Sequence, residues 1–556
     1  MSKLLVLIFV CAAGLVLTAQ SVAREELQRP LADSWPTYSG DYTGKRYSAL
    51  TQINQGNVRT LTLAWTRRLV AGPGPSGPRP PDAPPVIIGG EGDVAFGGAT
   101  IVKGSILAVD GVLYVTAPDN TWALDAHDGH ELWRYFWRTK GGTHIGNRGA
   151  GMWGSYLFFV TPDNYLISLE AKTGKERWRR ELASFQQQYF HTMAPVVVDN
   201  HVLVGSSNDL DMPGFLQAFE PESGELQWKW FATPQKEGDP GLDTWKNLDA
   251  AIHGGGHPWV PGAYDPETRL YIMGTGNPTP AYTSAPRGEG LENLYTCALV
   301  AVNVDTGRMA WYYQTSPHDT HDWDSAQTPV LIDGTFNGRP RKMAVTAARN
   351  GYFFVVDRIT GEHLLTSKFS DSANWAKPEL NAKGQPVRIP EKDHHIAGAL
   401  VSSANQGAAN WPPPSYSPQT GLFYVPTAET YALYYLTEPD PRGALGLGGK
   451  DERSVGTIGS YLTAIDYKTG KIAWKRRYRT TANTGLGTGL LTTAGRLLFA
   501  GDVSGNFVAY DPANGNPLWH TQLGAATTNA PQTYMTNGKQ YVLVAAGDTL
   551  YAFSLY

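Results

Sequence analysis

The stretch Ala123-Leu-Asp-Ala-His-Asp-Gly129-His-Glu-Leu-Trp133 decides the fold. An apolar strand runs out on an Asp, a turn follows that needs a Gly, and the next strand opens on a Trp. Glycine accepts the positive φ of such a turn, and tryptophan brings a large apolar face that packs between sheets. The same spacing returns at Ser168, Gly174 and Trp178, at Ala218, Gly224 and Trp228, and at Ala301, Gly307 and Trp311. It returns at Ala464, Gly470 and Trp474 and at Ala509, Gly515 and Trp519. Val355 to Leu365 keeps Gly361 but ends on Leu, and Asn57 to Trp65 keeps only the closing Ala-Trp.

Repeats at intervals of about 40 to 50 residues mark a propeller or solenoid. Eight copies predict an all-β fold, an eight-bladed β-propeller of four-stranded blades with Trp-docking repeats. The final apolar segments, Gln540 to Ala546 and Thr549 to Leu555, read as strands that pair with the N-terminal segment and close the ring. Pro73 to Pro85 reads as a loop, and solvent-facing helices are not evident. The gaps from Trp228 to Trp311 and from Trp311 to Trp474 leave room for insertions, where sites usually lie.

Length alone, 556 residues, would predict three or four domains, but Gly 61, Pro 38 and Trp 17 favour many short strands in one β architecture. Residues 1–23 read as a signal peptide: Lys3, an apolar run from Leu4 to Leu17, and a small-residue cleavage site at Ser21-Val22-Ala23, with cleavage after Ala19 the alternative. Residues 24–556 then form a single propeller domain, periplasmic or secreted. No later run reaches the length of a membrane span. Cys11 falls in the signal, so Cys297 alone persists and no intrachain disulfide forms. No Cys-x-x-Cys-His is present to attach a haem. A net charge of -4 gives no footprint for nucleic acid.

Chemistry concentrates in Pro317-His-Asp-Thr-His-Asp-Trp-Asp-Ser325. Asp322 and Asp324 stand two apart, which on an extended segment points both to one side. Two carboxylates on one spot repel unless a proton or cation lies between them. A polar surface loop with Asx-turns is the plainer alternative.

With these motifs in hand, the chain resembles the pyrroloquinoline-quinone (PQQ) dependent alcohol dehydrogenase family over nearly the whole mature length. Trp35-Pro-Thr-Tyr-Ser-Gly and Arg46-Tyr-Ser-Ala-Leu-Thr are similar to the family's opening, and the Trp-ended repeat to its blade-docking motif. The repeat is shared with non-catalytic propellers of the outer-membrane assembly type. The site motifs discriminate better. By this resemblance Asn147-Arg148-Gly149 supplies a quinone-binding Arg148, Gly254-Gly-Gly-His-Pro-Trp259 a stacking floor, and Gly274-Thr-Gly-Asn277 a metal ligand. Asp322 falls on the catalytic base and Arg349, in Arg349-Asn-Gly351, on the residue that hydrogen-bonds the reacting quinone oxygens. Asn410-Trp411 is similar to a cofactor-contact segment, and Thr192 and Ser207 fit polar contacts to cofactor carboxylates.

The chemistry asked of these residues agrees. A flat tricarboxylated quinone needs an aromatic plane, cations and hydroxyl donors. Hard cations take carboxylate and amide oxygens, which Asp209, Asn277, Asp322 and Asp324 offer. Each has an ordinary counterpart: a buried blade tryptophan for Trp259, a solvated arginine for Arg148, a turn asparagine for Asn277. A zinc pair at His253 and His257 is disfavoured, because the triple glycine between them breaks a helical display.

Two departures from the family pattern stand out. Gly142 and Thr143 replace an adjacent cysteine pair, and the metal-binding Glu segment reads Asn208-Asp-Leu-Asp211, with Asp209 preferred over Asp211 as ligand. Asp324 occupies the position at which lanthanide-type members carry Asp and calcium-type members a small neutral residue, so the resemblance implies PQQ with one metal ion, a lanthanide favoured over Ca²⁺. The implied function is alcohol oxidation, with electrons passed to a separate cytochrome c or other acceptor. The alternatives are a protein-binding propeller scaffold and a quinoprotein acting on sugars or polyols.

Overall fold

The structure, a computed structural model, describes residues 21–22, 24–29, 31–70, 101–137, 139, 146–325, 327–394, 396–436, 450–478 and 487–556. Most of the expected signal, the Pro73 to Pro85 loop and Gly142-Thr143 lie outside them.

The chain is all-β. Among the described residues, eight sheets are built on four main strands each, spanning 107–136, 151–181, 196–231, 263–314, 330–368, 399–477, 490–522 and, with 61–68 as its fourth strand, 532–555. A two-stranded ribbon pairs Ala376–Leu380 with Pro386–Arg388. The expected joining of the termini is present: Leu61–Arg68 forms the outer strand on Thr549–Leu555, antiparallel, with Leu61 opposite Leu555. Tyr47–Ser48 adds in parallel to Leu490–Thr493.

Burial grades across each sheet. Val112–Ala117 is buried at every position, whereas Glu131–Phe136 on the outside of the same sheet is exposed or half-buried throughout. Strands covered on both faces read as continuous apolar runs, and outer strands carry the charge.

Six of the seven repeat tryptophans pack on the turn glycine of the following sheet, not on their own. Trp65 meets Gly129, Trp133 meets Gly174, Trp178 meets Gly224, Trp228 meets Gly307, Trp311 meets Gly361 and Trp474 meets Gly515. A Cβ at Gly174 would stand 2.5 Å from the Trp133 ring. The glycine is therefore required twice, for its φ of +69° and for the space its missing side chain leaves. The indole N–H also donates to a neighbouring carbonyl, from Trp133 to Ala171 at 2.9 Å and from Trp228 to Val304 at 2.7 Å. Trp519 donates to Leu61, on the N-terminal strand, at 3.1 Å. Where Leu365 replaces the tryptophan, Ser367 Oγ donates to Gly470 O at 2.9 Å, and buried Glu429, paired with Lys475 of its own sheet at 2.6 Å, accepts from Ser370 Oγ, just past the preceding sheet, at 2.7 Å.

Arg46 is fully buried, lies 4.7 Å over the Trp35 ring, and donates to the carbonyls of Tyr38, Leu490 and Pro531 at 2.7–3.0 Å. One guanidinium thus binds the N-terminal segment to two C-terminal sheets, and burial pulls its pKa down to about 10. The insertions after Phe231 and Gly274 carry short elements, including the helix Leu248–Ile252, capped by the Asn247 side chain on Ala250 N. With Arg24–Gln28 it makes two five-residue helices, too short to show a sequence period.

Candidate active site

The site motifs all stand in loops at strand ends, so rigid sheets hold them. Arg349 lies in the turn between Arg339–Ala347 and Tyr352–Asp357, and Asn277 just past Leu270–Gly274. Trp259 lies in the insertion before Ala263–Asp265, and Asp322 beyond Met309–Gln314. Close approach of these loops needs glycine at Gly407, where a Cβ would strike the Arg349 side chain at 2.5 Å.

Asp322 and Asp324 do converge, but through a turn and not an extended segment. His318 has φ +52° and Asp322 φ +65°. Arg349 Nη1 stands 3.5 Å from Asp322 Oδ1 and 3.5 Å from Asp324 Oδ2, and donates to the Asp322 carbonyl at 2.7 Å. The guanidinium therefore lies between the two carboxylates. Burial opposes its charge, but Asp324 and Asp322 outweigh that and hold its pKa above the ordinary value. Asp324 is 4% exposed, with Oδ1 accepting from Asn277 N at 2.6 Å and Oδ2 from Trp259 Nε1 at 2.8 Å. The Asn277 side-chain amide donates to Pro278 O at 2.9 Å, so its oxygen is the atom that could meet a cation.

Trp259 is the centre of the polar lining. The Arg148 guanidinium lies 4.5 Å over its ring and 5.2 Å from that of Trp411, and Arg349 lies 5.6 Å over Trp259. Arg148 is buried, so its pKa falls to about 9, mainly by desolvation and further by Arg349. It donates to Thr192 Oγ1. Asn410 Oδ1 accepts from Arg349 at 3.5 Å and from Trp411 N at 2.7 Å. Ser207 pairs with Phe190 through two backbone hydrogen bonds of 3.0 Å, two residues from Thr192.

Asp209 and Asp211 stand in the half-buried loop 209–212. That loop folds against the Trp259 segment: Gly214 N donates to Gly255 O at 2.7 Å, and His257 Nε2 donates to Met212 O at 3.1 Å. His257 Nδ1 faces Ser206 Oγ at 3.0 Å, so both ring nitrogens are occupied, and burial pulls its pKa down to about 3. His253 instead bonds Asp249 O at 2.8 Å. The two histidines are thus engaged separately. Among the described residues, the one group of three acidic or histidine ligands within 4.8 Å is Asp125, Asp128 and His130 in a surface repeat turn. Asp209, Asp322 and Asp324 do not close to that spacing.

Asp319 and Arg287 carried no separate signal in the sequence, and Trp411 was read only as part of the Asn410-Trp411 segment. Asp319 is 4% exposed, and its Oδ2 accepts the backbone N–H of Asp322 at 2.9 Å, Trp323 at 3.1 Å and His321 at 3.3 Å. Burial, with the nearby Asp324 charge, raises its pKa to about 7. Arg287 is fully buried and donates to Pro280 O and Ala281 O at 2.9 and 3.2 Å, and to Asn293 Oδ1 and Asp319 O. Trp411 adds the second ring beside Arg148. Cys297 is buried and free, its thiol pushed well above the usual range by burial and by Asp319, Asp324 and Asp322.

The residues fit an anionic aromatic cofactor. Ser207 Oγ and Arg349 Nε are buried without a protein partner, and both are donors that a quinone carboxylate or carbonyl would satisfy. Hard oxygen donors beside them fit a hard cation.

The fold and the site define a propeller dehydrogenase built to hold a flat anionic cofactor. The sequence model of the PQQ glucose/ethanol/alcohol dehydrogenase β-propeller domain matches residues 35–395 and 459–542. Quinohemoprotein alcohol dehydrogenase ADH IIB of Pseudomonas putida is 32% identical over 545 residues, 92% of this chain and 73% of that protein. The crystal structure of quinohemoprotein alcohol dehydrogenase from Comamonas testosteroni superposes with a TM-score of 0.84 at 29% identity, over 96% of this chain and 82% of that one. A europium-containing methanol dehydrogenase superposes with a TM-score of 0.81 at 26% identity, over 96% and 99%. The chain belongs to the PQQ-dependent alcohol dehydrogenase family. It is an oxidoreductase acting on alcohols, which sets aside the scaffold alternative.

Proposed function

We propose that the protein oxidises an alcohol to an aldehyde or ketone, with Asp322 as the general base. The observation that carries this is the convergence of Asp322 and Asp324 on Arg349 Nη1 beside the Trp259 ring. Bound PQQ would supply the redox chemistry, accepting hydride from the carbinol carbon. The chain's own groups do the rest. The Asp322 carboxylate takes the hydroxyl proton. Arg349 offers fixed donors where negative charge develops. Trp259 gives the stacking plane, and Arg148, Thr192, Ser207 and Asn410 bind and orient the cofactor's polar edge. Asp209, Asn277, Asp322 and Asp324 would hold a metal ion that supplies Lewis acidity.

A lanthanide is favoured over Ca²⁺, because an added first-sphere carboxylate attracts a trivalent ion more than a divalent one. Asp324 supports this, as does similarity to a europium-containing dehydrogenase. The eight sheets are proposed as eight blades of a closed ring, supported by the succession of tryptophan-on-glycine contacts that returns from Trp519 to Leu61. An N-terminal export signal and a periplasmic or secreted location complete the reading. No helix among the described residues is long and apolar enough to cross a membrane. A separate cytochrome c or other electron acceptor is proposed on the family resemblance alone.

The test is reconstitution of apo-protein with PQQ plus La³⁺ or PQQ plus Ca²⁺, assayed by dye reduction across simple alcohols, polyols and sugars. Alcohol oxidation highest with La³⁺ is expected. Higher activity and tighter binding with Ca²⁺ would overturn the metal assignment, and no alcohol turnover with either metal would overturn the reaction.

A further inference from the structure

Asp322 is a non-glycine residue held at φ +65°, a strained conformation that persists only where its surroundings impose it. The turn also aims three successive amides, those of His321, Asp322 and Trp323, at one point, where no strand accepts them. The Asp319 carboxylate fills that point: a single oxygen accepts all three at 2.9–3.3 Å, in a side chain that is 4% exposed. On the other side Arg349 Nη1 donates to the Asp322 carbonyl at 2.7 Å. The backbone of Asp322 is thus gripped at the N–H and at the C=O on either side of its Cα, which sets the direction of the side chain between them. Asp319 is anchored in turn. Buried Arg287 donates to its backbone carbonyl and to those of Pro280 and Ala281, in the insertion that follows Asn277.

We infer that Asp319 is a positioning residue for this reaction: its carboxylate, by collecting the amides of 321–323, aims the Asp322 carboxylate at the substrate hydroxyl. Asp319 itself touches neither substrate nor cofactor. The inference rests on the reading of Asp322 as the base. It predicts that losing the acceptor oxygen impairs the chemical step and spares binding, because misplacing a reacting group by about 1 Å costs about 10²-fold in rate.

The test uses the full chain loaded with PQQ and metal, comparing Asp319→Ala, Asp319→Asn and Asp322→Asn. Asp319→Ala is expected to lower kcat about 10²-fold, to leave KM and the PQQ dissociation constant, read by tryptophan quenching, nearly unchanged, and to speed amide hydrogen exchange in residues 321–323. Asp319→Asn keeps an acceptor oxygen in place and should recover most of the rate and the slow exchange. Should Asp319→Ala not fold, Asp319→Glu shifts the acceptor by one methylene and carries the same expectation. Wild-type kcat in Asp319→Ala, or an Asn variant as slow as the Ala variant, would overturn the proposal. Turnover surviving in Asp322→Asn would instead remove the base assignment, and the exchange measurement would still judge whether Asp319 holds the turn.

Discussion

The indole N–H of Trp259 donates to Asp324 Oδ2 over 2.8 Å, while the other oxygen of that carboxylate accepts the amide of Asn277 over 2.6 Å. The carboxylate proposed to distinguish the metal site therefore also holds the indole on which the cofactor is proposed to stack. Hydrogen bonds to a charged group contribute about 1.5–3 kcal/mol. Asp324→Ala should accordingly weaken PQQ binding about tenfold or more and abolish the preference for La³⁺ while the fold survives. Fluorescence titration with PQQ, with each metal in turn, measures both effects. Loss of the metal preference with PQQ affinity intact would show that the Trp259 contact is incidental.

Arg349 stands between two carboxylates with its Nε buried and without a protein partner. Replacing it by Ala removes a preorganised donor, worth on the order of 10²- to 10³-fold in rate. It also leaves Asp322 and Asp324 facing each other without their cation. Single-turnover kinetics should show the loss in the chemical step, and an unchanged rate constant would refute the role.

The tryptophan-on-glycine contact makes a stability prediction apart from the site. Gly174→Ala places a methyl 2.5 Å from the Trp133 ring at φ +69°, whereas Gly238→Ala, at φ +82°, meets nothing within 4 Å. Both carry the backbone strain, and only the first also overpacks. Gly174→Ala should be less stable than Gly238→Ala by about 1–3 kcal/mol in denaturant unfolding. Equal stability would mean that the docking contact has little energetic weight.

Acid should destabilise the protein before most carboxylates titrate. Burial holds His191 and His257 neutral, with pKa values pulled from 6.5 down to about 3. Between those values the unfolded chain binds protons that the folded chain does not, so their contribution to stability falls as pH drops from 6.5 toward 3 and is flat above 6.5. Each contributes a slope of up to about 1.4 kcal/mol per pH unit. Asp319, raised to about 7, acts with the opposite sign in part of this window. Melting temperature against pH for His191→Gln should show a shallower acid limb than wild type, and an identical limb would contradict the assignment.

Val22 exchanges both backbone hydrogen bonds with Gly154, at 2.9 and 3.2 Å, and is 4% exposed in the core, while Ser21 N donates to Asp110 at 3.1 Å. Cleavage after Ala23 would remove these contacts, and cleavage after Ala19 would keep them. N-terminal sequencing of exported protein is expected to read Gln20-Ser21-Val22. A start at Arg24 would show that this pairing is absent from the mature protein.

The repeat, the all-β class and the site motifs were legible in the sequence because each rests on a local demand. A turn needs a glycine at fixed spacing from a strand, and a cation needs oxygen ligands whatever the fold around them. Leu61–Arg68 was legible as an outlying copy for the same reason. What the tertiary structure alone decided were relationships between residues far apart in the chain. Trp133 packs on Gly174 and not on Gly129, because an indole fills the space left in the neighbouring sheet. Arg287 and Arg46 carry no pattern of their own, since a buried guanidinium satisfied by backbone carbonyls can draw them from any segment. In Pro317 to Ser325 the resemblance gave roles to Asp322 and Asp324 and none to Asp319. Only the folded turn, which directs three amides onto the Asp319 oxygen and the Asp322 carboxylate toward Arg349, marks Asp319 as the acid proposed to hold the proposed base.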